Sequence, residues 1–515
     1  MRSANVSARF SALLPCTAAV ALAFSAATGA SVLATGDAFA AAAPAKRQPA
    51  WRKITLTAEF FSEGACIGDF NNDGVPDIAA GPFWFAGPDF KQRRLVHEPK
   101  AFDMKKHPYI YSDNFSQFAY DFNGDGWQDI LVCAHPGTRG YWFENPGKTA
   151  AAGAVAGDPA GGETGGAAPL WKKHFFPNEI GNESPQFLRL AKTDVHPSLL
   201  YNRNGYLGFS TLAVTGGAPQ WTFHNVSGKK NTRRYQRYTH GVGAGDINGD
   251  GRADIIENEG WWEAPAASAA GNGVGSGERG TGSGEKSAGT VSEKTAWKYH
   301  PYVAAPEAAA GDAGNAAAAG STNTGAAAAG DAAKKRKRLP PRFAVAGSHM
   351  LVFDVNGDGL NDVVTAWHCH TYGLVWHEQV RVDAKTAAGG ETIRWRRHEI
   401  LPVEPDLKSP ALRFSQMHAL AAADLNGDDL PDLVTGKRFW AHGPDGDKEP
   451  SAPCVLYWFE LVRDKTAPGG ARFVPHKIDD DSGVSTQLTL GDLNGDGVPD
   501  ILVSSKKGIH VFLSK

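Results

Sequence analysis

The chain has 515 residues, 42% of them hydrophobic and 21% charged, which is enough apolar material for a large core. Fifty-two basic residues against 55 acidic ones give a formal charge of −3, a near balance that by itself points to no class of partner. Five cysteines in this length favour buried free thiols at Cys66, Cys133, Cys369 and Cys454 over a disulfide framework.

Residues 1–40 carry Arg2 and Arg9, a small apolar run and Ala38-Phe39-Ala40, the pattern of a secretory signal. Export to the periplasm or extracellular space is therefore expected. A flexible stretch (41–50) precedes the repeats, and no later run is long and apolar enough for a transmembrane segment.

From residue 51 onward one acidic turn recurs. It reads GDFNNDGVPD from Gly68, YDFNGDGWQD from Tyr120, GDINGDGRAD from Gly245, FDVNGDGLND from Phe353, ADLNGDDLPD from Ala423 and GDLNGDGVPD from Gly491. Hard oxygen donors at alternate positions of a tight turn suit Ca²⁺, with Gly where the backbone needs a positive φ. Up to six calcium sites are expected. Their ligands are Asp69, Asn71, Asp73 and Asp77; Asp121, Asn123, Asp125 and Asp129; Asp246, Asn248, Asp250 and Asp254; Asp354, Asn356, Asp358 and Asp362; Asp424, Asn426, Asp428 and Asp432; and Asp492, Asn494, Asp496 and Asp500. Asp429 replaces the Gly of the sixth repeat's turn, and Arg189 stands where a calcium-free third repeat would have its first Asp.

Around each turn lie a small/apolar strand, an apolar strand such as DILV, an aromatic strand such as GYWFE or GWWE, and an outer strand marked W-x-x-H. Four strands per repeat and seven repeats give the expected fold: all-β, a seven-bladed β-propeller over 51–515, closed by WRKITLTAEF (51–60) as the outer strand of the last blade. His174, His224, His300, His398 and His476 of the outer strands are expected to serve packing. Three insertions poor in large apolar residues, 147–170, 265–294 and 303–342, are expected to be disordered, and the KKRKR run at 334–338 inside the third reads as a solvated tether, not a nucleic-acid patch.

These repeats resemble the FG-GAP/VCBS class of secreted calcium-binding propellers and, more distantly, the propeller part of the aldos-2-ulose dehydratase family, a metal-dependent sugar lyase. The first resemblance implies calcium-stabilised repeats and, since that class includes adhesion modules, surface scaffolds and enzyme domains, does not choose among these roles. The second implies carbon–oxygen lyase chemistry on a keto-sugar.

Polar residues recur at the start of the first strand of several repeats. Glu63, Glu183, His240, His349 and His418 are expected to gather at one end of the molecule and hold a transition metal such as Zn²⁺ or Mn²⁺. Glu63, His240 and His418 are the candidate catalytic groups, with His370, Lys437 and Arg438 as candidate substrate contacts. A solvated polar mouth without metal is the competing account. The residues thus leave two functions open: a pocket for a carbohydrate-like small molecule, with lyase or dehydratase activity undecided, or a non-catalytic propeller that binds an extracellular glycan or acts as a scaffold.

Overall fold

Buried apolar runs after each acidic turn and aromatic alternation one strand later dictate short antiparallel strands. The structure is a computed structural model that describes residues 46–148, 169–266, 296–306, 340–383, 385 and 392–515. The expected signal segment and most of each expected insertion lie outside the described residues. The third insertion nevertheless begins later than expected, because Val303 O accepts the Trp395 amide at 2.9 Å and the Ala305 amide donates to Trp395 O at 2.8 Å. Among the described residues no helix is long and apolar enough to cross a membrane.

Strand β1 (Trp51–Thr57) precedes seven units. The first holds β2 (Ala65–Gly68), β3 (Asp77–Ala80), β4 (Phe83–Phe85) and β5 (Arg93–Leu95); the second β6 (Ser116–Tyr120), β7 (Asp129–Cys133), β8 (Thr138–Glu144) and β9 (Lys172–Ile180). The third holds β10 (Gln186–Leu188), β11 (Ser198–Arg203), β12 (Tyr206–Thr215) and β13 (Ala218–Asn225); the fourth β14 (Val242–Gly245), β15 (Asp254–Glu257), β16 (Gly260–Glu263) and β17 (Lys298–Pro301). The fifth holds β18 (His349–Phe353), β19 (Asp362–Ala366), β20 (Leu374–Arg381) and β21 (Ile393–Leu401); the sixth β22 (Leu420–Ala423), β23 (Asp432–Gly436), β24 (Leu456–Arg463) and β25 (Ala471–Asp479). The last has β26 (Leu488–Gly491), β27 (Asp500–Ser505) and β28 (Gly508–Ser514), and β1 pairs with β28 as its fourth strand, Trp51 opposite Ser514 and Ile54 opposite Val511.

The expected propeller of seven separate four-stranded blades is corrected by the sheet pairing. The described strands form six sheets, five of four strands and one of eight in the order β17-β16-β15-β14-β18-β19-β20-β21. Parallel pairing of Val242 with His349 and Gly243 with Met350 joins the fourth and fifth units into that continuous sheet. The cause is local: a Cβ on Gly243 would lie 2.1 Å from Met350 O, so only glycine lets the two backbones approach this closely. Leading strands of successive units also touch elsewhere: β2 meets both β6 and β26, β22 meets β18 and β26, and Gln186 of β10 donates to Val242 O of β14 at 3.0 Å.

The acidic turns are tied by their own side chains. Asp246 accepts the amides of Gly249, Asp250 and Gly251 at 2.8, 3.0 and 2.8 Å, and Asp250 accepts that of Arg252 at 3.0 Å. The sixth turn position has φ between 81° and 87° at Gly74, Gly126, Gly251, Gly359 and Gly497, and Asp429 adopts the same left-handed region at 64°. Lys46 lies 3.1 Å from Asp428 in that sixth-unit turn, placing a fixed cation on it that the sequence did not foreshadow. Where Arg189 replaces the first Asp, Asp194 caps the turn by accepting the amides of Leu190 and Ala191.

Each turn's last carboxylate has a structural task. Asp77 is fully buried and accepts the amides of Phe70 at 2.9 Å and Gly87 at 2.8 Å; Asp254 does the same for Ile247 and Ala264 at 2.9 and 2.8 Å. The same two bonds recur at Asp129, Asp362, Asp432 and Asp500, tying each turn to the far end of its unit's third strand. Burial pushes these carboxyls up, to about 7 at Asp77, Asp254 and Asp432 and about 8 at Asp129 and Asp362.

Outer-strand histidines pack and hydrogen-bond within their units, although His398 Nδ1 is buried without a partner. His174, His300, His398 and His476 stack on Trp142, Trp261, Trp376 and Trp458 at 4.2–4.3 Å. Their Nε2 atoms lie 2.6–2.9 Å from Glu144, Glu263, Glu378 and Glu460, respectively. This Trp-His-Glu brace pins the fourth strand to the third. In the third unit Phe209 and Thr211 replace the Trp and Glu around His224.

Two predictions follow from these contacts. Removing Trp51–Thr57 strips β28 of its partner and exposes a fully buried strand edge, so the truncated protein should sediment as aggregates where the parent is a single species. The second concerns pH in the presence of a strong chelator. Between about pH 4 and pH 7 the folded turn carboxyls hold protons that the unfolded chain has released, so stability must fall as pH rises through that window. The chelated protein should therefore melt higher at pH 6 than at pH 8; an equal or reversed order would show that these carboxylates are buried in ionised form.

Candidate metal centre

Three imidazoles from separate units meet at the start of the leading strands. His240 precedes β14, His418 precedes β22, and His370 lies in the loop after β19. Their ring centroids are 4.8–5.3 Å apart and every pair is close to perpendicular, at 76–80°. His240 and His370 approach through their Nε2 atoms at 3.2 Å. With the Cys369 thiol they form a set whose ligand atoms all lie within 4.8 Å of one another. Donors held tetrahedrally at ~2.0–2.1 Å from a zinc-like ion sit ~3.3–3.4 Å apart, so small side-chain adjustments suffice to converge on one ion.

The surrounding bonds orient these rings. His418 is 2% exposed; its Nδ1 lies 3.2 Å from Gln416 O, whereas its Nε2 is buried with no hydrogen-bond partner. A ring that donates from Nδ1 to a carbonyl presents a lone pair at Nε2, the usual arrangement of a metal-ligating histidine. The backbone of His240 is fixed by Asn258, whose Nδ2 donates to His240 O at 2.7 Å and whose Oδ1 accepts the Gly347 amide at 3.0 Å. Cys369 is buried, and its amide donates to Ala346 O at 2.7 Å. Burial holds His240 and His418 well below the ordinary histidine range, reinforced at His240 chiefly by His370 and at His418 chiefly by Arg438. Both are thus neutral, the ligating form.

Beside the cluster lies a buried ion network. Arg438 is 3% exposed, bonded through Nη2 to Glu63 and through Nη1 to Glu183 at 3.3 Å. Glu63 also accepts the Ser112 hydroxyl at 3.0 Å. Glu183 reaches within 3.9 Å of His240 Nε2, and burial raises its carboxyl despite the neighbouring Arg438. On the opposite side Asp447 lies 3.8 Å from His370 Nδ1 and 3.1 Å from His442 Nδ1. Burial alone would raise Asp447, but the neighbouring imidazoles of His370 and His442 hold it well below the usual carboxylate range.

The sequence-derived set is therefore rearranged. His240 and His418 come together as expected, and His370, expected as a substrate contact, joins them as a potential ligand. Glu63, expected as a base and metal ligand, is instead locked by Arg438 and Ser112. His349 is only partly exposed at the start of β18 and is not in the cluster; burial lowers it to about 4. Lys437 is fully buried with Nζ 3.4 Å from Ser415 Oγ, and burial lowers it to about 8, while Arg438 is consumed by two carboxylates; neither is free for substrate. Cys369 and Asp447 were missed. His-Cys-His at 368–370 was their one visible signal, whereas nothing around Asp447 distinguishes it from a solvated loop acid.

No family model and no curated protein matches the sequence. Solved structures that the chain resembles weakly include rhamnogalacturonan lyase YesW, 13% identical over 90% of this chain and 75% of that chain with a TM-score of 0.35. Bacillus licheniformis rhamnogalacturonan lyase PL11 is 13% identical over 90% and 75%, with a TM-score of 0.33. The V. cholerae biofilm matrix protein Bap1 is 10% identical over 91% and 84%, with a TM-score of 0.31. At this degree of likeness the chemistry of the chain has to be read from its own residues.

Replacing Arg438 with Ala leaves Glu63 and Glu183 buried without their cation, which should cost about 3–5 kcal/mol of stability by denaturant titration. Removing both acids together with the arginine, as Glu63→Gln/Glu183→Gln/Arg438→Met, should recover most of that loss.

Proposed function

We propose that this chain is an exported metalloprotein that holds a divalent transition ion through His240, His370 and His418 and acts on a carbohydrate-like carbonyl compound by proton abstraction and loss of a hydroxyl. The observation that carries the reading is the convergence of three mutually perpendicular imidazoles, one with a buried and unpartnered Nε2. Calcium in the acidic turns is part of the same proposal, as a structural ion.

When bound, the ion would supply Lewis acidity toward a carbonyl oxygen. Glu183, the carboxylate next to His240, is the group placed to take the proton from the adjacent carbon. The electron pair of that C–H bond forms the new double bond as the C–O bond one carbon further breaks, and the departing hydroxyl leaves as water after gaining a proton. Arg438 holds Glu183 in place without contacting the cluster's nitrogens. A cavity of about 30 Å³ beside His240, lined by Asn182, Asn202, Thr239, Asn258 and the Arg234–Glu257 ion pair, leaves Asn182 Nδ2 and Asn202 Oδ1 without partners, and its size suits about one water molecule.

Elemental analysis of the purified protein should find a transition metal in addition to calcium. His240→Ala/His418→Ala should remove the ion held by this cluster while calcium content and melting temperature change little, because the acidic turns lie at the other ends of the leading strands. Glu183→Gln should retain the metal and lower keto-sugar turnover, followed as the ultraviolet absorbance of the unsaturated product, by at least about 100-fold, as removal of a general base predicts. A metal-loaded wild type that turns over no keto-sugar would leave binding, not elimination, as the function.

A further inference from the structure

We propose that His442, Asp447 and the Nδ1 nitrogen of His370 form a second, outer site for a divalent transition ion, joined to the inner one through the His370 ring. The inference rests on the inner-site reading above and adds to it a separate set of ligand atoms.

The geometry has three parts. His370 Nδ1 is a buried atom with no hydrogen-bond partner, although Asp447 Oδ1 lies 3.8 Å away. That separation is too long for a hydrogen bond and close to the spacing of two ligand atoms on one ion. His442 Nδ1 lies 3.1 Å from both Asp447 oxygens, and its ring centroid is 4.6 Å from that of His370. The three ligand atoms lie within 4.8 Å of one another.

Exposure distinguishes the two sites. The inner rings of His240 and His418 are 6% and 2% exposed, whereas the His442 side chain is 48% exposed. An ion on the outer site would thus keep a solvent-facing position open to water. The loop that carries His442 and Asp447 is held at several points. Ala441 donates its amide to Gln416 Oε1 at 3.1 Å, Tyr109 donates its hydroxyl to Asp445 at 2.7 Å, and Lys448 O accepts Ser415 Oγ at 2.7 Å. Such pinning keeps the ligands near productive positions before an ion arrives. Two imidazoles and one carboxylate suit Zn²⁺ or Cu²⁺ better than Ca²⁺. With both sites filled, His370 is coordinated through both nitrogens, and its ring proton is released to solvent as the second ion binds.

The test is titration of metal-free, calcium-saturated protein with Zn²⁺, with bound zinc counted after gel filtration. Two equivalents are expected for the wild type, one for His442→Ala and for Asp447→Asn, and the outer equivalent alone for His240→Ala/His418→Ala. With Cu²⁺, the mononuclear electron paramagnetic resonance signal of the first equivalent should weaken as the second binds, because one ring bridges the two ions. If His442 and Asp447 only orient His370, the wild type stops at one equivalent and His442→Ala weakens that one; this result overturns the outer site alone. No bound zinc in the wild type overturns the inner reading together with the outer site. His442 is exposed, so its variant should melt like the parent, and His442→Gln provides an independent check.

Discussion

A carboxylate buried between two backbone amides is the joint that repeats through most of this molecule. In six units the last Asp of the acidic turn accepts one amide from the turn's own second residue and one from the far end of the third strand or just past it. An unpaired buried amide costs about 1–3 kcal/mol, so one aspartate satisfies two such groups at once and fixes the angle at which the chain enters and leaves its hairpin. The aromatic brace then completes the unit: Trp on the third strand stacks on His of the fourth, and that His reaches back to Glu two residues beyond the Trp. Packing between units can be apolar because these polar needs are met locally.

Rigid units make a site from distant residues. His240, His370 and His418 are separated by more than a hundred positions at the extremes, yet each stands beside a leading strand whose register is set by its own hairpin. Arg438 crosses between Glu63 of the first unit and Glu183 of the third from a loop of the sixth, so one buried cation ties three units around the imidazoles. A buried ion pair of this kind adds little net stability but makes any misplacement of its members costly. Its value here is positional: it holds Glu183 beside His240 and keeps Glu63 away.

The acidic turns and the W-x-x-H strands were legible because their determinants are local. A turn made by Asp246, Asn248 and Asp250 hydrogen-bonding to amides within five residues is the same wherever its unit sits, and Asp429 at φ 64° follows from the glycine it replaces. The pairing of β1 with β28 was likewise readable from the missing outer strand of the last unit. Fusion of the fourth and fifth units was not, since a glycine in a strand signals close approach without naming the partner that approaches.

What the sequence determined by itself was therefore strand content, turn chemistry and the recurrence of polar residues at strand starts. Which of those polar residues meet was decided only by the tertiary structure. Glu63 and His240 occupy equivalent positions in their repeats, and nothing in either repeat says that Arg438 will capture one and His370 will adjoin the other. Charge pairing across hundreds of residues depends on loop paths in other units, so the same strand position becomes a locked carboxylate in one unit and a neutral, ligand-ready imidazole in another.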